Sequence, residues 1–584
     1  MITISSSNCI GLEQHFKVTA GPGAGKTHWL VNHIKNTVKG SLRLEKTRKI
    51  ACITYTNVAV ETIMKRLGTS IANRVEISTI HSFLYKHVIK PYLFLIANEF
   101  NVNVEKINGH ETVFPQRSIV ENWLENHSRR TDLKHPNTVR QLQFIDDKKK
   151  SLWVWLSNIE YKFNTYGHLE LVGKKDKAGS ISKVARILED DLLSYKKLNW
   201  ARGKIDHDDI LFFSYVLITR NPFILKVLRA KFPYFFLDEV QDTNPIQTKI
   251  IKLIADEESI VGVIGDPAQS IYAFQGANIE EFKKFQLENM AEYQILENRR
   301  SSNQIIDLLN KIRMDIMQDK YKNVDEDLPT LFIGDTVDAY KRIKDIYGED
   351  SVIHTLSRDN STANAMKTLI SLDGIDSKLL IKFQECDSNS VRLRIIISSI
   401  EAVEFARIGD YKNALEKMRM LFTGLSEKEQ VNKSISLLQV LLNTYSTYES
   451  EAIMDFYNIL KLHNPMAGFK AGVAKDFYNT TSYKHLSICI NFKEDISEHR
   501  TIHTIHKAKG DEFETVLLIP NSLDFLINPN IENDEEHRIY YVGLSRAKSR
   551  LFIAFPRVQK KHLKLIEEKY NIKVEDLSKV PKLV

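Results

Sequence analysis

Ala20-Gly21-Pro22-Gly23-Ala24-Gly25-Lys26-Thr27 is an eight-residue stretch with the pattern of a loop that wraps a polyphosphate. It lies between an apolar run that ends at Ala20 and a helix-period segment that begins near Lys26. Glycines let backbone N–H groups curl around phosphate oxygens, and a helix N-terminus adds a favourable dipole. We expect Lys26 to reach the β- and γ-phosphates and the Thr27 hydroxyl to ligate Mg²⁺. The stretch predicts a nucleotide site; a plain glycine turn is the alternative.

The run from Phe235 to Asp242 supplies the carboxylates that a nucleotide site needs. Apolar residues that end in the pair Asp238-Glu239 predict a buried strand with an acidic end. We expect Asp238 to hold Mg²⁺ through its water shell and Glu239 to polarise the attacking water. The alternative is an acidic strand end that only caps the next helix.

The remaining pattern predicts an α/β fold. Short β-branched runs alternate with helix-period segments, which is typical of a mostly parallel sheet flanked by helices. Two stretches, residues 88–204 and 371–494, have a charged and aromatic helical pattern with few strand signals. We expect them to be helical insertions into the α/β framework, with independent helical domains in series as the alternative. The predicted strands include Ile50–Thr54, Tyr234–Leu237, Ile260–Ile264, Val516–Ile519 and Leu551–Phe555.

Composition argues against a membrane protein, a secreted protein and a cysteine-ligated metal site. The chain has 584 residues and a net charge of 81 − 74 = +7, too weak a field to identify an anionic partner. Its longest apolar run, Ile210–Ile218, is about half of the ~20 residues that span a bilayer, so we expect no membrane segment. Cys9, Cys52, Cys386 and Cys489 have no paired spacing for a metal or iron–sulfur site. With no secretory signal at the N-terminus, these features predict a cytoplasmic protein.

Further motifs follow the phosphate loop in a fixed order and cover most of the chain. Each motif is weak alone, but the complete series resembles that of the UvrD/Rep-type superfamily 1A DNA helicases. The motifs are Ile53-Thr54-Tyr55-Thr56-Asn57, Thr79-Ile80-His81-Ser82-Phe83, Asp238 to Thr243, Ile264 to Tyr272, Asn298-Arg299-Arg300-Ser301, Thr504 to Phe513 and Tyr541 to Ala547.

The resemblance implies two RecA-like P-loop lobes, 1A and 2A, each a parallel sheet flanked by helices and interrupted by a helical subdomain, 1B or 2B. It accounts for the two insertions that the residue pattern indicates. The implied division is lobe 1A at 1–87 and 205–295, subdomain 1B at 88–204, lobe 2A at 296–370 and 495–584, and a reduced 2B at 371–494.

The resemblance also implies that ATP and Mg²⁺ bind in the cleft between the lobes. Gln269 would sense the γ-phosphate, and Arg300 and Arg546 would act as arginine fingers, an effect of about 10³–10⁵ in rate in other P-loop enzymes. The other implied ATP contacts are residues Ala20 to Thr27, Arg299, Gly510 and Glu512.

Single-stranded DNA would cross the tops of the lobes. Aromatic rings stack on any base at about 1–3 kcal/mol each, which suits a sequence-independent motor. Tyr55, Tyr272 and Phe274 fall where the family presents such rings. The other positions at which the resemblance implies contact with the strand are Asn57, His81, Thr504 and His506.

Some residues depart from the family pattern. Arg299 stands where the family usually has a tyrosine that stacks on adenine, although a guanidinium can also stack on a purine. Only 19 residues precede Ala20, so Gln14 is not a clear counterpart of the adenine-reading glutamine. Gln275 and Asp511 replace a usual arginine and leucine. These changes affect base selection and DNA coupling rather than phosphate chemistry.

The resemblance implies an ATP hydrolase that moves 3′ to 5′ on single-stranded DNA, as the members of this family do. Only 584 − 546 = 38 residues follow Arg546, too few for the nuclease domain of some relatives. A compact helicase of this kind resembles the helicase subunit of two-gene antiphage defence systems such as Gabija, which implies a separate OLD-family (TOPRIM) nuclease as partner. The alternative pathway is stand-alone DNA repair or recombination. The alternative function is an ATP- and DNA-responsive module that gates a partner nuclease without productive unwinding.

Overall fold

The structure, a computed structural model, divides the chain into two units, which are described separately. The first comprises Met1–Arg299, Asp315–Lys322 and Ile531–Arg538; the second comprises Arg300–Met314, Asn323–Asn530 and Ile539–Val584. The residues that the structure describes are 1–110, 113, 115–133, 152–173, 183–359, 362–363, 366, 379–387, 389–407, 409–422, 427–464, 466, 468–469, 472–491 and 501–577.

A seven-stranded parallel sheet forms the centre of the first unit. Because all its strands run the same way, their carboxyl ends meet at one edge, where parallel α/β sheets place ligands. In spatial order the strands are Ile2–Thr3, Ala291–Ile295, Phe16–Ala20, Ile260–Gly265, Tyr234–Leu237, Ile50–Thr54 and Val75–Thr79.

Both faces of this sheet are buried, which explains why its central strands are continuous apolar runs. Side chains alternate between the faces: Ala51 and Ile53 belong to one hydrophobic cluster, Ile50 and Cys52 to another. Each large side chain that is fully buried stabilises the unit by about 1.5–3 kcal/mol. The two cores hold the strand ends in place.

Helices flank the sheet and lead into an inserted region. The helices of the first unit are Lys26–Gly40, Asn57–Leu67, Thr69–Ala72, Ile80–Leu84, Lys90–Tyr92, Ala97–Phe100, Arg117–Asn126, Arg130–Leu133, Leu152–Leu156, Lys183–Glu189, Leu192–Trp200, His207–Arg220, Phe223–Lys231, Pro245–Ala255 and Ile279–Lys283, with a π-helix at Tyr85–Ile89. The short parallel strands Glu297–Asn298 and Asp319–Lys320 also belong to this unit.

The region between 88 and 204 contains more than the helices that the sequence predicts. Strands Ile159–Phe163 and Leu169–Gly173 form an antiparallel hairpin there. Each strand has only five residues and mixes charged with apolar side chains, so its signal is weak beside the helical pattern around it.

A buried charge cluster anchors this region to the helix His207–Arg220. The Lys196 ammonium lies 2.5 Å from an Asp206 oxygen and 2.9 Å from an Asp209 oxygen. The hydroxyl of Tyr161, from the hairpin, donates to Asp209 at 2.9 Å. Buried charges are tolerated when they are paired and hydrogen-bonded in this way.

The second unit has its own parallel sheet of six strands. In spatial order they are Ile502–Thr504, His354–Ser357, Phe513–Ile519, Ala547–Phe555, Thr330–Ile333 and Lys573–Asp576. The helices around this sheet are Asn303–Ile312, Thr336–Tyr347, Asp524–Ile527 and Lys560–Tyr570, and the helix Glu535–Leu544 carries residues of both units.

Helices fill the described residues between 379 and 491 and bury their own hydrophobic cluster. Its centre includes Phe383, Tyr448, Phe456 and Tyr483. The helices are Leu379–Cys386, Ser390–Arg407, Tyr411–Arg419, Glu427–Asn443, Tyr445–Tyr448, Ile453–His463, Val473–Thr480 and Tyr483–Asn491.

The predicted fold class is confirmed, because the chain has two parallel sheets flanked by helices. Among the described residues, no single helix has the length and apolar composition to cross a membrane. The helices His207–Arg220 and Phe223–Lys231 meet that criterion only as a pair bent by 106°.

Close packing at the central strand Ile260–Gly265 yields a stability prediction. A Cβ added at Gly262 would lie 2.0 Å from the ring of Phe16, which is itself buried. We expect Gly262→Ala to lower the free energy of unfolding by about 1–3 kcal/mol, because the ring must shift within a packed core. Gly11→Ala is the matched control, since its Cβ meets nothing within 4 Å, and should change stability by no more than about 0.5 kcal/mol. Urea unfolding measures both variants, and equal stabilities would contradict the packing.

Candidate nucleotide and DNA site

The phosphate loop joins the strand Phe16–Ala20 to the helix Lys26–Gly40. Gly23 and Gly25 adopt left-handed backbone angles, φ 72° and 79°, which a residue with a side chain rarely takes. The Lys26 ammonium is buried and donates to the carbonyls of Ala20 at 3.1 Å and Gly21 at 3.2 Å. In this fully described segment the helix has neither a capping side chain nor an acidic residue in its first turn. Its N-terminus is therefore suited to an anion.

Two carboxylates follow the strand Tyr234–Leu237 at the same edge of the sheet. The backbone N–H of Asp238 donates to the Ile53 carbonyl at 2.9 Å, and the Asp238 side chain is buried. Glu239 has a left-handed φ of 56°, and its N–H donates to the Asp238 carboxylate at 3.0 Å. One strand, Ile260–Gly265, separates this strand from the strand of the phosphate loop.

The oxygen atoms at this edge fit Mg²⁺. A carboxylate from Asp238 and a hydroxyl from Thr27 are ligand types that Mg²⁺ prefers, and the ion is usually held by one or two such groups together with substrate phosphates. Asp238 is only 7% exposed, so its charge is favoured when a cation lies nearby. These two residues would hold the ion.

Gln269 lies just beyond the strand Ile260–Gly265 and is buried. Its side-chain amide donates to the Asp266 carboxylate at 2.6 Å. The other carboxylate oxygen of Asp266 accepts the N–H of Ala268 at 3.2 Å. The carboxyl edge of the first sheet thus brings Gln269 together with Lys26 and Asp238.

Arg299 packs beside the phosphate loop. Its backbone N–H donates to the Gly23 carbonyl at 2.9 Å. Its guanidinium lies over the ring of Tyr321 at 3.7 Å and donates to Glu297 at 2.8 Å. Gln14, the uncertain counterpart of the adenine-reading glutamine, instead donates to the Asn289 carbonyl at 2.8 Å.

In the second unit, Arg300 and Arg546 lie in one hydrogen-bonded group. Arg300 donates to Glu512 at 2.9 Å and to the Ser545 carbonyl at 2.7 Å. Buried Arg546 donates to the Asp511 carbonyl at 3.1 Å and to the Ser545 hydroxyl at 2.9 Å. Burial alone would raise the pKa of Glu512, but the charges of Arg300 and a neighbouring lysine outweigh it and hold that pKa below its usual value.

Gly510 is the remaining residue of the second unit that is predicted to contact ATP. It has a φ of 98°, in the left-handed region, and an added Cβ would meet nothing within 4 Å. The backbone there favours glycine without being crowded by neighbours.

The aromatic residues predicted to bind bases lie together in the first unit. The rings of Tyr55 and Tyr272 stack at 5.0 Å with an interplanar angle of 25°, and Phe274 lies 5.9 Å from Tyr272. The Tyr55 hydroxyl donates to Gln275 at 2.7 Å. Burial, followed by the charge of Asp242, raises the pKa of Tyr55, so its hydroxyl stays protonated. Phe274 is 53% exposed and offers an apolar face to solvent.

Asn57 and His81 occupy the starts of two nearby helices. Exposed Asn57 is the first residue of the helix Asn57–Leu67, which the Thr56 side chain caps. The ring of His81 packs against His207 at 5.2 Å and His110 at 6.3 Å. Burial and then the two neighbouring histidines lower the pKa of His81 to about 3. A neutral imidazole can donate one hydrogen bond but does not attract a phosphate by charge.

Thr504 and His506 follow one edge strand of the second sheet. Thr504 ends the strand Ile502–Thr504 and is buried, and its hydroxyl accepts the N–H of Lys507 at 3.4 Å. His506 is half-buried in the turn beyond it.

Comparison with known proteins gives two family matches that together span most of the chain. The model of the UvrD/REP helicase N-terminal domain matches residues 5–290. The model of the UvrD-like helicase C-terminal domain matches residues 279–557.

Full-length similarities agree with these matches. The ATP-dependent DNA helicase Rep of Buchnera aphidicola subsp. Baizongia pistaciae is 24% identical, over 92% of this chain and 88% of the relative. The ATP-dependent DNA helicase PcrA of Staphylococcus aureus (strain Mu50) is 22% identical, over 92% of this chain and 80% of the relative. A probable DNA helicase II homologue of Mycoplasma genitalium is 23% identical, over 92% and 82%.

The low pKa of His81 predicts how stability depends on pH. Its folded pKa of about 3 is below the ordinary value of 6.5, so the unfolded chain binds the extra proton first as pH falls. The contribution of the neutral ring to stability is complete above pH 6.5 and is lost as pH falls towards 3. We expect the free-energy difference between wild type and His81→Gln to shrink by up to about 1.4 kcal/mol per pH unit between pH 6.5 and 5. Urea unfolding at several pH values tests this, and a constant difference would contradict it.

Proposed function

The chain belongs to the UvrD/REP helicase family and is an ATP-dependent DNA helicase of that type, and on this premise we propose that it is a motor that moves 3′ to 5′ along single-stranded DNA. The observation that supports ATP hydrolysis as the energy source of this motor is the edge of the first sheet, whereas the direction of movement rests on the family resemblance. There the phosphate loop, the Asp238-Glu239 pair and Gln269 follow three adjacent strands. This arrangement suits attack of water on a terminal phosphoryl group.

Each residue of the edge has a proposed role in ATP hydrolysis. Lys26 releases the loop carbonyls and binds the β- and γ-phosphates. Thr27 and Asp238 would hold Mg²⁺, which when bound would neutralise phosphate charge. Glu239 orients the attacking water and accepts its proton, and Gln269 reports on the γ-phosphate. ATP contacts extend over Ala20 to Thr27 and to Arg299.

Two arginines of the second unit are proposed to supply the positive charge that stabilises the transition state of hydrolysis. Arg300 and Arg546 act as arginine fingers on the γ-phosphoryl group, and Gly510 and Glu512 form the remaining nucleotide contacts. The hydrogen bond between Arg300 and Glu512 supports this role, because it holds the guanidinium in a defined orientation before the nucleotide binds.

Single-stranded DNA is the proposed track. Bases stack on the group formed by Tyr55, Tyr272 and Phe274, which is sequence-independent because every base has a π-face. Further strand contacts are proposed for Asn57, His81, Thr504 and His506. Since His81 is neutral, its contact is a hydrogen bond rather than an ion pair.

The wider assignments rest on the family resemblance. We propose lobes 1A at 1–87 and 205–295 and 2A at 296–370 and 495–584, with 1B at 88–204 and 2B at 371–494. We further propose a cytoplasmic role in antiphage defence with a separate OLD-family nuclease. Co-purification of such a nuclease encoded beside this gene tests the partnership. Stand-alone DNA repair is the alternative pathway.

A second candidate function is a nucleotide-responsive module that gates a partner nuclease without productive unwinding. The observation that favours it is Gln275, which stands at a position usually held by arginine and accepts the Tyr55 hydroxyl beside the base-stacking rings. Strand displacement on a 3′-tailed duplex distinguishes the two functions. The motor displaces the strand, whereas the gating module hydrolyses ATP and leaves the duplex intact.

The proposed chemistry predicts the behaviour of two variants. We expect single-stranded DNA to stimulate ATP hydrolysis by the purified chain. Lys26→Ala should lower kcat by about 10²–10³ because it removes a charge that stabilises the transition state.

Glu239→Gln should lower kcat by about 10²–10⁴ with ATP binding retained, because it removes the general base. Phosphate release measures both effects. Hydrolysis by Glu239→Gln at the wild-type rate would contradict the assigned mechanism.

The position of Arg299 leads us to expect that the site discriminates only weakly between adenine and guanine nucleotides. It stacks on Tyr321 beside the phosphate loop, and stacking does not distinguish purines as hydrogen bonds to base edges do. We expect kcat/KM for ATP and GTP to agree within about tenfold, far from the 10⁴–10⁵ of a site that reads polar groups. Tyr321→Ala should raise KM for both nucleotides, with Tyr166→Ala, an exposed tyrosine of the hairpin loop, as the control. A thousandfold preference for ATP would contradict this account.

A further inference from the structure

We propose that Gln241 is a positioning residue, which holds the Glu239 carboxylate and couples it to the loop that carries Gln269 and the base-stacking rings. The inference deepens the proposed function and rests on it. Gln241 lies on the turn Val240–Asp242, directly after the strand that ends in the Asp238-Glu239 pair. Its side chain is fully buried at 0% exposure, so both ends of its amide must find partners within the protein.

The two ends of the Gln241 amide join two different segments. Its N–H₂ group donates to the carboxylate of Glu239. Its oxygen accepts the backbone N–H of Asp266 at 3.0 Å. The space around this oxygen is filled, because a Cβ at Gly265 would lie 2.6 Å from it. An amide is the group that donates on one side and accepts on the other.

The chain of hydrogen bonds continues from Asp266. Its carboxylate accepts the side-chain amide of Gln269 at 2.6 Å. Glu239, proposed to activate water, and Gln269, proposed to sense the γ-phosphate, are therefore joined through Gln241 and Asp266. A change at either end alters the partners available at the other, since Gln241, Asp266 and Gln269 are buried and cannot exchange their bonds for water.

A second bond ties Gln241 to the DNA-facing part of the same loop. The Ser270 hydroxyl donates to the Gln241 backbone carbonyl at 3.0 Å. The Ser270 carbonyl accepts the guanidinium of buried Arg538 at 2.8 Å. Two residues further along, Tyr272 stacks on Tyr55. A base bound at these rings can thus shift the loop and, through Gln241, the Glu239 carboxylate.

Glu239 depends on such a partner because of its backbone. Its φ of 56° lies in the left-handed region, so the backbone leaves the extended conformation of the strand at this residue. A long carboxylate side chain at this point has several rotamers. The donor on Gln241 selects one of them and fixes the direction in which the carboxylate points.

The test compares two substitutions at Gln241 with one control. Gln241→Met keeps the volume but removes both hydrogen bonds. Gln241→Glu keeps the acceptor for the Asp266 N–H but presents a second carboxylate to Glu239. Gln247→Met is the control: Gln247 is also buried and hydrogen-bonded, but it caps the helix Pro245–Ala255 at Asn244. Thermal unfolding shows which variants are folded.

We expect both Gln241 variants to lower the DNA-stimulated kcat by about tenfold or more, a part of the 10²–10⁴ that a general base contributes. KM for ATP and the affinity for a fluorescent oligo-dT should stay within about twofold of wild type, and the ratio of DNA-stimulated to basal kcat should fall. Gln247→Met should retain the wild-type ratio.

Folded Gln241→Glu with wild-type kcat and stimulation would overturn the inference, and so would an equal loss in Gln247→Met. If Gln241→Met does not fold, Gln241→Glu decides, because it preserves the bond to the loop. If the wild-type chain shows no DNA-stimulated hydrolysis, the proposed function itself fails. The two failures are therefore distinguishable.

Discussion

The site depends on one constraint, the burial of both faces of a parallel sheet. Alternate residues of strands such as Ile50–Thr54 enter two separate cores, so neither face is open to a ligand. Only the strand ends remain for chemistry. Because all strands run in one direction, the phosphate loop, the Asp238-Glu239 pair and the Asp266–Gln269 turn leave the sheet at the same edge. Burial of apolar side chains therefore fixes where phosphate chemistry is placed.

Most polar groups at this edge are buried as well, and they satisfy each other's hydrogen-bonding capacity. Lys26 donates to loop carbonyls, and Gln241 satisfies both Glu239 and Asp266. Groups of this kind are costly to bury unless they are hydrogen-bonded. In the proposed mechanism, the bonds of Gln241 hold Glu239 in place before a nucleotide replaces the carbonyl partners of Lys26. One hydrogen-bond network therefore both stabilises the fold and positions the side chains of the proposed site.

Much of this arrangement was predictable from the sequence because its signals are local. The phosphate loop and the strand before Asp238 have clear patterns, and the fold class is confirmed. The hairpin Ile159–Phe163/Leu169–Gly173 was missed because five-residue strands of mixed polarity have no distinctive period. The link from Glu239 through Gln241 to Asp266 was missed for a different reason. Its bond between Gln241 and Asp266 joins residues 25 positions apart, and only the sheet order brings them together. The packing of Arg299 on Tyr321 is likewise a tertiary contact.

The proposed motor moves in one direction along DNA, and displacement of streptavidin from biotinylated oligonucleotides tests this property. A motor that moves 3′ to 5′ pushes streptavidin from a 5′-terminal biotin when ATP is present and leaves a 3′-terminal biotin occupied. We expect this asymmetry, and we expect Lys26→Ala to abolish displacement. Displacement from the 3′ end would contradict the direction. ATP hydrolysis without displacement from either end would contradict the motor itself.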